Sequence, residues 1–356
     1  MTSSFSPGCR AVLIGSLPLE NHQEALDLVF RRTPDIPLWV QLPCRRQEGM
    51  ISQFLPGMPG LTGAPGDEVV RTDAPDFDDQ LLGFYEEYMA VVEEQQDLTR
   101  SRFAMDPAVA EGFFLFLERV SALAVPPAAV KGQITGPITL TTAVKDQNGA
   151  AIYHDDRLRD AAVKLLAQRA RWQVRKLSAL GKPVILFLDE PALAGFGTSE
   201  FTSISRPDVL SCLEEVIEAV RSEGGIAGIH VCANTDWSLV LGTSIGIVNF
   251  DAFSYFDRFV LYADDLIRFV DSGGIVAWGI VPTSRAEDID EQTVDSLFSR
   301  WQDQIEKTAA LGVDRERLLR QSLITPSCGT GSIDRTHAER VLELTASLSD
   351  KIRNSG

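Results

Sequence analysis

The 356-residue sequence predicts an α/β fold, a (β/α)8 TIM barrel, on three observations. Eight short apolar, β-branched runs recur along the chain. Amphipathic stretches of helical period follow most of them. The residues able to do chemistry gather at or just past the C-terminal ends of those runs. Runs that stay apolar throughout, without alternation, suit parallel strands covered on both faces. Eight alternations without a reversal favour a closed barrel over a doubly wound sheet.

The first strand is AVLIGS at 11–16, a helix follows over 19–32, and the second strand is LWVQLP at 38–43. Residues 44–128 then separate it from the third, AVKGQITGP at 129–137. They open with the Gly/Pro-rich PGMPGLTGAPG at 56–66 and read as helix over 77–97 and 107–122. An insertion after a strand's C-terminal end sits over the active face of a barrel. This one is expected to cap or wall the site within a single domain spanning 1–356. A helix over 155–180 carries Val163, Leu166, Ala167, Ala170, Val174 and Leu177 on one face, the spacing of a buried stripe. Further strands are expected at 184–191, 226–233, 245–252, 274–282 and 318–326, and helices at 206–223, 259–272, 289–311 and 333–353.

Fifty acidic residues against 33 basic give a formal charge of −17. That balance argues against nucleic acid, whose binding needs a basic surface to displace counterions, and against an anionic membrane surface. No apolar run approaches the ~18 residues of a membrane span, and no basic then apolar leader opens the chain. The expected location is the cytoplasm. The five cysteines, Cys9, Cys44, Cys212, Cys232 and Cys328, are odd in number and irregular in spacing, which is no disulfide framework. Thiols kept free serve metal binding or chemistry. Dinucleotide, P-loop and α/β-hydrolase readings lack their motifs.

Ser16, Asp189, Glu190, His230, Cys232, Asp251 and Cys328 all fall at strand ends that a barrel brings to one face. In GIHVCAN (228–234), His230 and Cys232 are two apart on an extended strand and address one point in space. An imidazole and a thiolate on one side are half of a tetrahedral zinc site; a buried Cys beside a hydrogen-bonded His is the alternative. TPSCGTG (325–331) adds Cys328 between Gly329 and Gly331 as a third ligand. Asp251 offers a fourth, through oxygen, unless it caps the following turn. LFLDEPAL (186–193) sets two carboxylates side by side, of which only one enters the cavity. Asp189 is the candidate to grip a cationic substrate group, and Glu190 to anchor backbone or ligand. Gly132 and Gly136 mark a close backbone approach, and Ser16 offers a hydrogen bond to a small ligand. Cys44 is an outside candidate for the site. His22, His154 and His337 read as surface residues of helical segments.

IGSLP, KGQITGPIT, LDEPAL, H-x-C and the late cysteine in TPSCG resemble, in order and spacing, the catalytic half of the cobalamin-independent methionine synthase family. The likeness runs from about residue 11 to 350. It implies a (β/α)8 barrel holding one zinc on His230, Cys232, Cys328 and Asp251, the last in place of a usual Glu. It places Ile14, Ser16 and Asp189, with Glu48 as a further match, around an amino acid thiol, and makes Asp189 and Asp251 the catalytic carboxylates. The implied activity is methyl transfer to homocysteine, giving methionine. The chain is expected to be a core version without the additional N-terminal barrel of the full-length enzymes, for which methylcobalamin or a corrinoid protein joins methyltetrahydrofolate as an expected methyl donor. Alternatives are a corrinoid-dependent methyltransferase acting on another thiol, and a zinc-holding barrel without turnover.

Overall fold

The computed structural model describes residues 5–196 and 204–355. Seven parallel strands form its main sheet: β1 (Arg10–Ala11), β4 (Val130–Thr135), β6 (Val184–Asp189), β7 (Ile226–Val231), β8 (Ile247–Phe250), β9 (Ile275–Val281) and β10 (Ser322–Pro326). The missing numbers belong to two-residue strands: β2 (Leu61–Thr62) and β3 (Val69–Val70) in the insertion, and β5 (Lys145–Asp146) beyond it. Together these three make a small separate sheet that the sequence did not announce. In the main sheet the order is β1-β10-β9-β8-β7-β6-β4, so the last strand lies against the first.

Thirteen α-helices surround it among the described residues. They are α1 (His22–Arg32), α2 (Phe77–Val92), α3 (Pro107–Ser121), α4 (Pro137–Ala143), α5 (Asp156–Ser178), α6 (Arg206–Ser222) and α7 (Trp237–Leu241). The rest are α8 (Ala252–Phe259), α9 (Ala263–Asp271), α10 (Ala286–Asp290), α11 (Val294–Ala310), α12 (Arg315–Arg320) and α13 (Arg335–Ser355). The stripe expected on α5 is buried at all six positions. None of the helices is long and apolar enough to cross a membrane.

Several expectations change. The strand expected at 11–16 ladders only over Arg10–Ala11 and makes a single bridge at Ser16, and the helices expected at 259–272 and 289–311 are each interrupted. The run at 38–43 is not a laddered strand: it makes single parallel bridges, Leu38 to Lys131 on one side and Gln41 to Ser16 on the other. Pro37 and Pro43 flank it, and neither has an N–H to extend a ladder. The sheet is therefore curled, with seven laddered strands and this segment between its edges. The strand expected at 318–326 starts only at Ser322, because Asp314 caps α12 through Arg317 N–H and draws Leu318 and Leu319 into helix. Likewise the strand at 245–252 ends at Phe250, and α8 begins where strand was expected to continue.

Strand alternation sorts the core into two clusters. Leu186, Leu188, Ile229, Val248, Phe250, Val276 and Trp278 belong to the large cluster under the helices. Ile185, Phe187, Ile247, Ile275, Ala277 and Leu323 form a second, on the concave face. Going up that concave face, the residues turn polar: Asp189 follows Phe187 by two, and Asn249 follows Ile247 by two. The apolar floor and polar top are a direct consequence of period two.

Candidate metal centre

Parallel pairing lines up one row across the top of the sheet. Thr135 pairs with Asp189, Asp189 with His230, His230 with Asn249, and Asn249 with Ala277. Cys232 lies just past β7, two residues beyond His230. Cys328 arrives from the far side by a break in register. The β10–β9 ladder shifts between Thr325 and Pro326, and Ser327 N–H then bonds Val281 O at 2.8 Å. Such a bulge re-aims the chain next to a site.

Glycine lets the Cys328 loop close on the first strand segment. Thr330 N–H donates to Ser16 O at 3.1 Å and Gly331 N–H to Ser16 Oγ at 3.2 Å. A Cβ on Gly329 would sit 2.3 Å from Ser16 Oγ, and one on Gly331 would sit 2.7 Å from Pro43 Cγ. Ser16 thus latches the loop, and its own hydroxyl hydrogen remains available to the cavity.

A ring nitrogen of His230 and the sulfurs of Cys232 and Cys328 lie within 4.8 Å of one another. His230 is buried, and its Nδ1 is bonded to Asn249 Oδ1. The Asn249 amide is fixed in turn: Nδ2 donates to Ala277 O at 2.9 Å and to Thr325 Oγ1 at 2.8 Å. Its oxygen must therefore face the imidazole, which makes Nδ1 the protonated nitrogen. Nε2 keeps its lone pair, and it is buried with no hydrogen-bond partner among the described residues. An orphaned acceptor beside two thiols is what a soft, borderline divalent ion such as zinc satisfies. The donor set fits that ion.

The two thiols are shifted in opposite directions. The neighbouring Cys328 thiol, against the cost of burial and with help from His230, holds Cys232 well below an ordinary thiol, while Cys232 and burial push Cys328 up. Burial opposes a charged His230, but the neighbouring Cys232 sulfur and the charge of Asp189 outweigh it and raise the ring above its ordinary value.

These groups line a cavity of about 300 Å³, together with Ile14, Ser16, Gln41, Glu48 and Asp189. Burial pushes Asp189 up to about 6, against the opposing charges of His230 and Lys131, and its Oδ1 has no partner among the described residues. Lys131 lies beneath, fully buried, bonded to Ile14 O and 4.5 Å from the Phe187 ring centroid. Burial brings its ammonium down to about 8, with Asp189 opposing. The sequence reading passed over Lys131 and Asn249, whose signal was a polar side chain inside an apolar strand.

Other candidates fall elsewhere. Glu190 turns away from the cavity and accepts from Ile138 N–H at 2.9 Å, Thr139 N–H at 2.8 Å and Thr139 Oγ1–H at 2.6 Å. It anchors backbone, and Gly136 is the close approach that permits it, since a Cβ there would meet Glu190 at 2.2 Å. Asp251 accepts from Ser254 N–H at 2.8 Å as the N-cap of α8 and stands outside the 4.8 Å set. Burial pushes it up to about 6, with the negative Cys232 adding to the shift. Glu48 lines the cavity with both oxygens engaged, by His22 Nε2 at 2.9 Å and Leu42 N–H at 3.1 Å. His22 is therefore buried, not a surface residue. With Glu48 and Glu111 it forms a second acidic group, already bridged by the Arg45 guanidinium. Cys44 is exposed and donates to Leu19 O.

No protein-family model matches the chain, and no curated protein matches it. Among solved structures it is similar to a B12-independent methionine synthase from Shewanella sp. W3-18-1 in complex with selenomethionine. The identity is 18%, the match covers 67% of each chain, and the TM-score is 0.47.

Proposed function

We propose that this protein is a zinc-dependent methyltransferase that methylates a thiol, with homocysteine as acceptor and methionine as product. The observation that carries the reading is the meeting of His230, Cys232 and Cys328 at the head of a cavity that also holds an unpartnered carboxylate, Asp189. We read residues 37–41 as the eighth strand of a (β/α)8 barrel, completing the ring through the bridges at Leu38 and Gln41.

In this reading His230, Cys232 and Cys328 would hold the zinc. Asp251, the cap of α8 through Ser254 N–H, would offer a fourth, oxygen ligand. Bound zinc would supply a thiol deprotonated near neutral pH yet still nucleophilic. Asn249 keeps the His230 lone pair aimed inward. Asp189 takes the ammonium of the amino acid, a charge-assisted contact in a site largely shut from water. Ser16 and the backbone at Ile14 take its other end, and the narrow cavity aligns the sulfur with the methyl group. The methyl donor is a corrinoid, such as methylcobalamin, or methyltetrahydrofolate.

The test is to load the protein with zinc, add homocysteine with methylcobalamin or with methyltetrahydrofolate, and assay methionine. Methionine from one donor, lost in Cys232→Ser together with the metal, supports the reading. Full metal stoichiometry in Cys232→Ser rejects the ligand assignment, and absence of methionine from zinc-loaded protein with either donor rejects the activity.

A further inference from the structure

The cavity wall carries one more oriented group, and it comes from the segment between the sheet edges. Gln41 is buried in the wall, and its backbone is pinned on both sides, by Gln41 N–H to Gly15 O and Leu17 N–H to Gln41 O, each 3.1 Å. Its side-chain Nε2 donates to Gln53 Oε1 at 2.6 Å. Gln53, fully buried, donates its own Nε2 to Val109 O at 2.6 Å. A backbone carbonyl only accepts, so Val109 fixes which end of the Gln53 amide is nitrogen, and Gln53 then fixes Gln41. The outcome is that Gln41 Oε1, without a hydrogen-bond partner among the described residues, is the end left for the cavity.

We infer that Gln41 is a specificity-determining residue that reads the ammonium of an α-amino acid ligand, and that Gln53 is the positioning residue that keeps its carbonyl turned inward. This deepens the methyltransferase reading and rests on it for the identity of the ligand. Gln41 Oε1 and Asp189 Oδ1 give the cavity two acceptors without partners among the described residues, and Ser16 supplies a hydroxyl donor on the strand segment that Gln41 bridges. Acceptors with a donor on the neighbouring strand segment match a zwitterion with its ammonium toward Gln41. A ligand without the ammonium leaves those acceptors buried and unpaired, which is how a polar site rejects a near isostere. The insertion thereby sets selectivity at a distance, through two amides.

The experiment needs no metal and no turnover. Methionine and its analogue lacking the ammonium, 4-(methylsulfanyl)butanoate, are titrated calorimetrically into wild type, Gln41→Met and Gln53→Met. Wild type is expected to prefer methionine by tenfold or more. Gln41→Met, close in volume, should lower that ratio severalfold by weakening methionine alone, with Asp189 keeping the remainder, and Gln53→Met should lose part of it while Gln41 is still present. A full wild-type ratio in Gln41→Met, or no preference in wild type, overturns the inference. A parallel titration of homocysteine into cobalt-substituted wild type separates the two readings. A spectrum silent to homocysteine beside an intact methionine preference sinks the methyl-transfer proposal and upholds the amino acid site.

Discussion

Asn249 stands directly across the β7–β8 ladder from His230, and its amide oxygen holds the ring's Nδ1. Because Ala277 O and Thr325 Oγ1 occupy the amide nitrogen, the imidazole has one permitted tautomer, with Nε2 free toward the thiols. Partners of this kind raise ligand basicity and fix ring orientation. Asn249→Leu should therefore lower zinc affinity about 10- to 100-fold, read by competition with a chromophoric chelator. Asn249→Asp, which keeps an acceptor for Nδ1–H, should retain most of it. Equal affinity in Asn249→Leu and wild type shows that the ring needs no such support.

That relationship also marks the limit of what the sequence discloses. His230 and Cys232 were legible as a pair because strand periodicity alone puts them on one side. Cys328 was legible only through the assumption that the last strand returns beside the first, and the bulge at Thr325/Pro326 that aims it has no sequence signature of its own. Asn249 depends on register between two strands, which a single chain of letters does not specify. His22 reads as an ordinary first residue of a helix. It is buried because Gly112 of α3 packs on it so closely that a Cβ would lie 2.7 Å from Nδ1. Of the two roles the sequence left open for Asp251, helix cap and metal ligand, the structure shows the cap, and a strand-to-helix passage has the same letters in either case.

Metal retention should depend on pH with a definite sign. Cysteine and histidine ligands bind metal through lone pairs that protons also claim. The metal-free site keeps a proton on Cys328, which Cys232 and burial hold above its ordinary range, and binds a further one on His230, also held up. The metal-free form therefore binds more protons, and affinity must fall as pH falls. Chelator competition from pH 8.5 to 6 should show a loss of between about one and about two logarithmic units per pH unit, one for each proton taken up. A flat profile excludes the two sulfurs and imidazole as the ligand set.

The adjacent carboxylates of β6 should separate fold from function. Glu190 satisfies Ile138 N–H, Thr139 N–H and Thr139 Oγ1–H at the start of α4, all buried. Glu190→Ala strands two backbone donors and should cost about 2–4 kcal/mol, seen as a lower Tm. Asp189 accepts no hydrogen bond at Oδ1 and stabilises no backbone. Asp189→Asn should leave Tm near wild type and bind zinc normally, yet weaken methionine binding about tenfold or more, the value of a charge-assisted contact exchanged for a neutral one. Reversed outcomes for the two variants would exchange their roles.

The latch between Ser16 and the Cys328 loop invites a double-mutant test. In Gly329→Ala the new methyl would fall 2.3 Å from Ser16 Oγ, and its next contacts with Ser16, at Cβ and N, are an ordinary 3.6 Å. The loop must then move away from the first strand segment, taking the Cys328 sulfur with it. Overpacking of this sort costs about 1–3 kcal/mol, and displacement of a ligand should show as weakened zinc binding. Ser16→Ala removes the clashing oxygen, losing only its bond from Gly331 N–H. If close approach is what places Cys328, Ser16→Ala combined with Gly329→Ala should bind zinc more tightly than Gly329→Ala alone, a coupling that independent sites do not show. Strict additivity of the two effects on zinc affinity would mean that the loop holds Cys328 by other contacts.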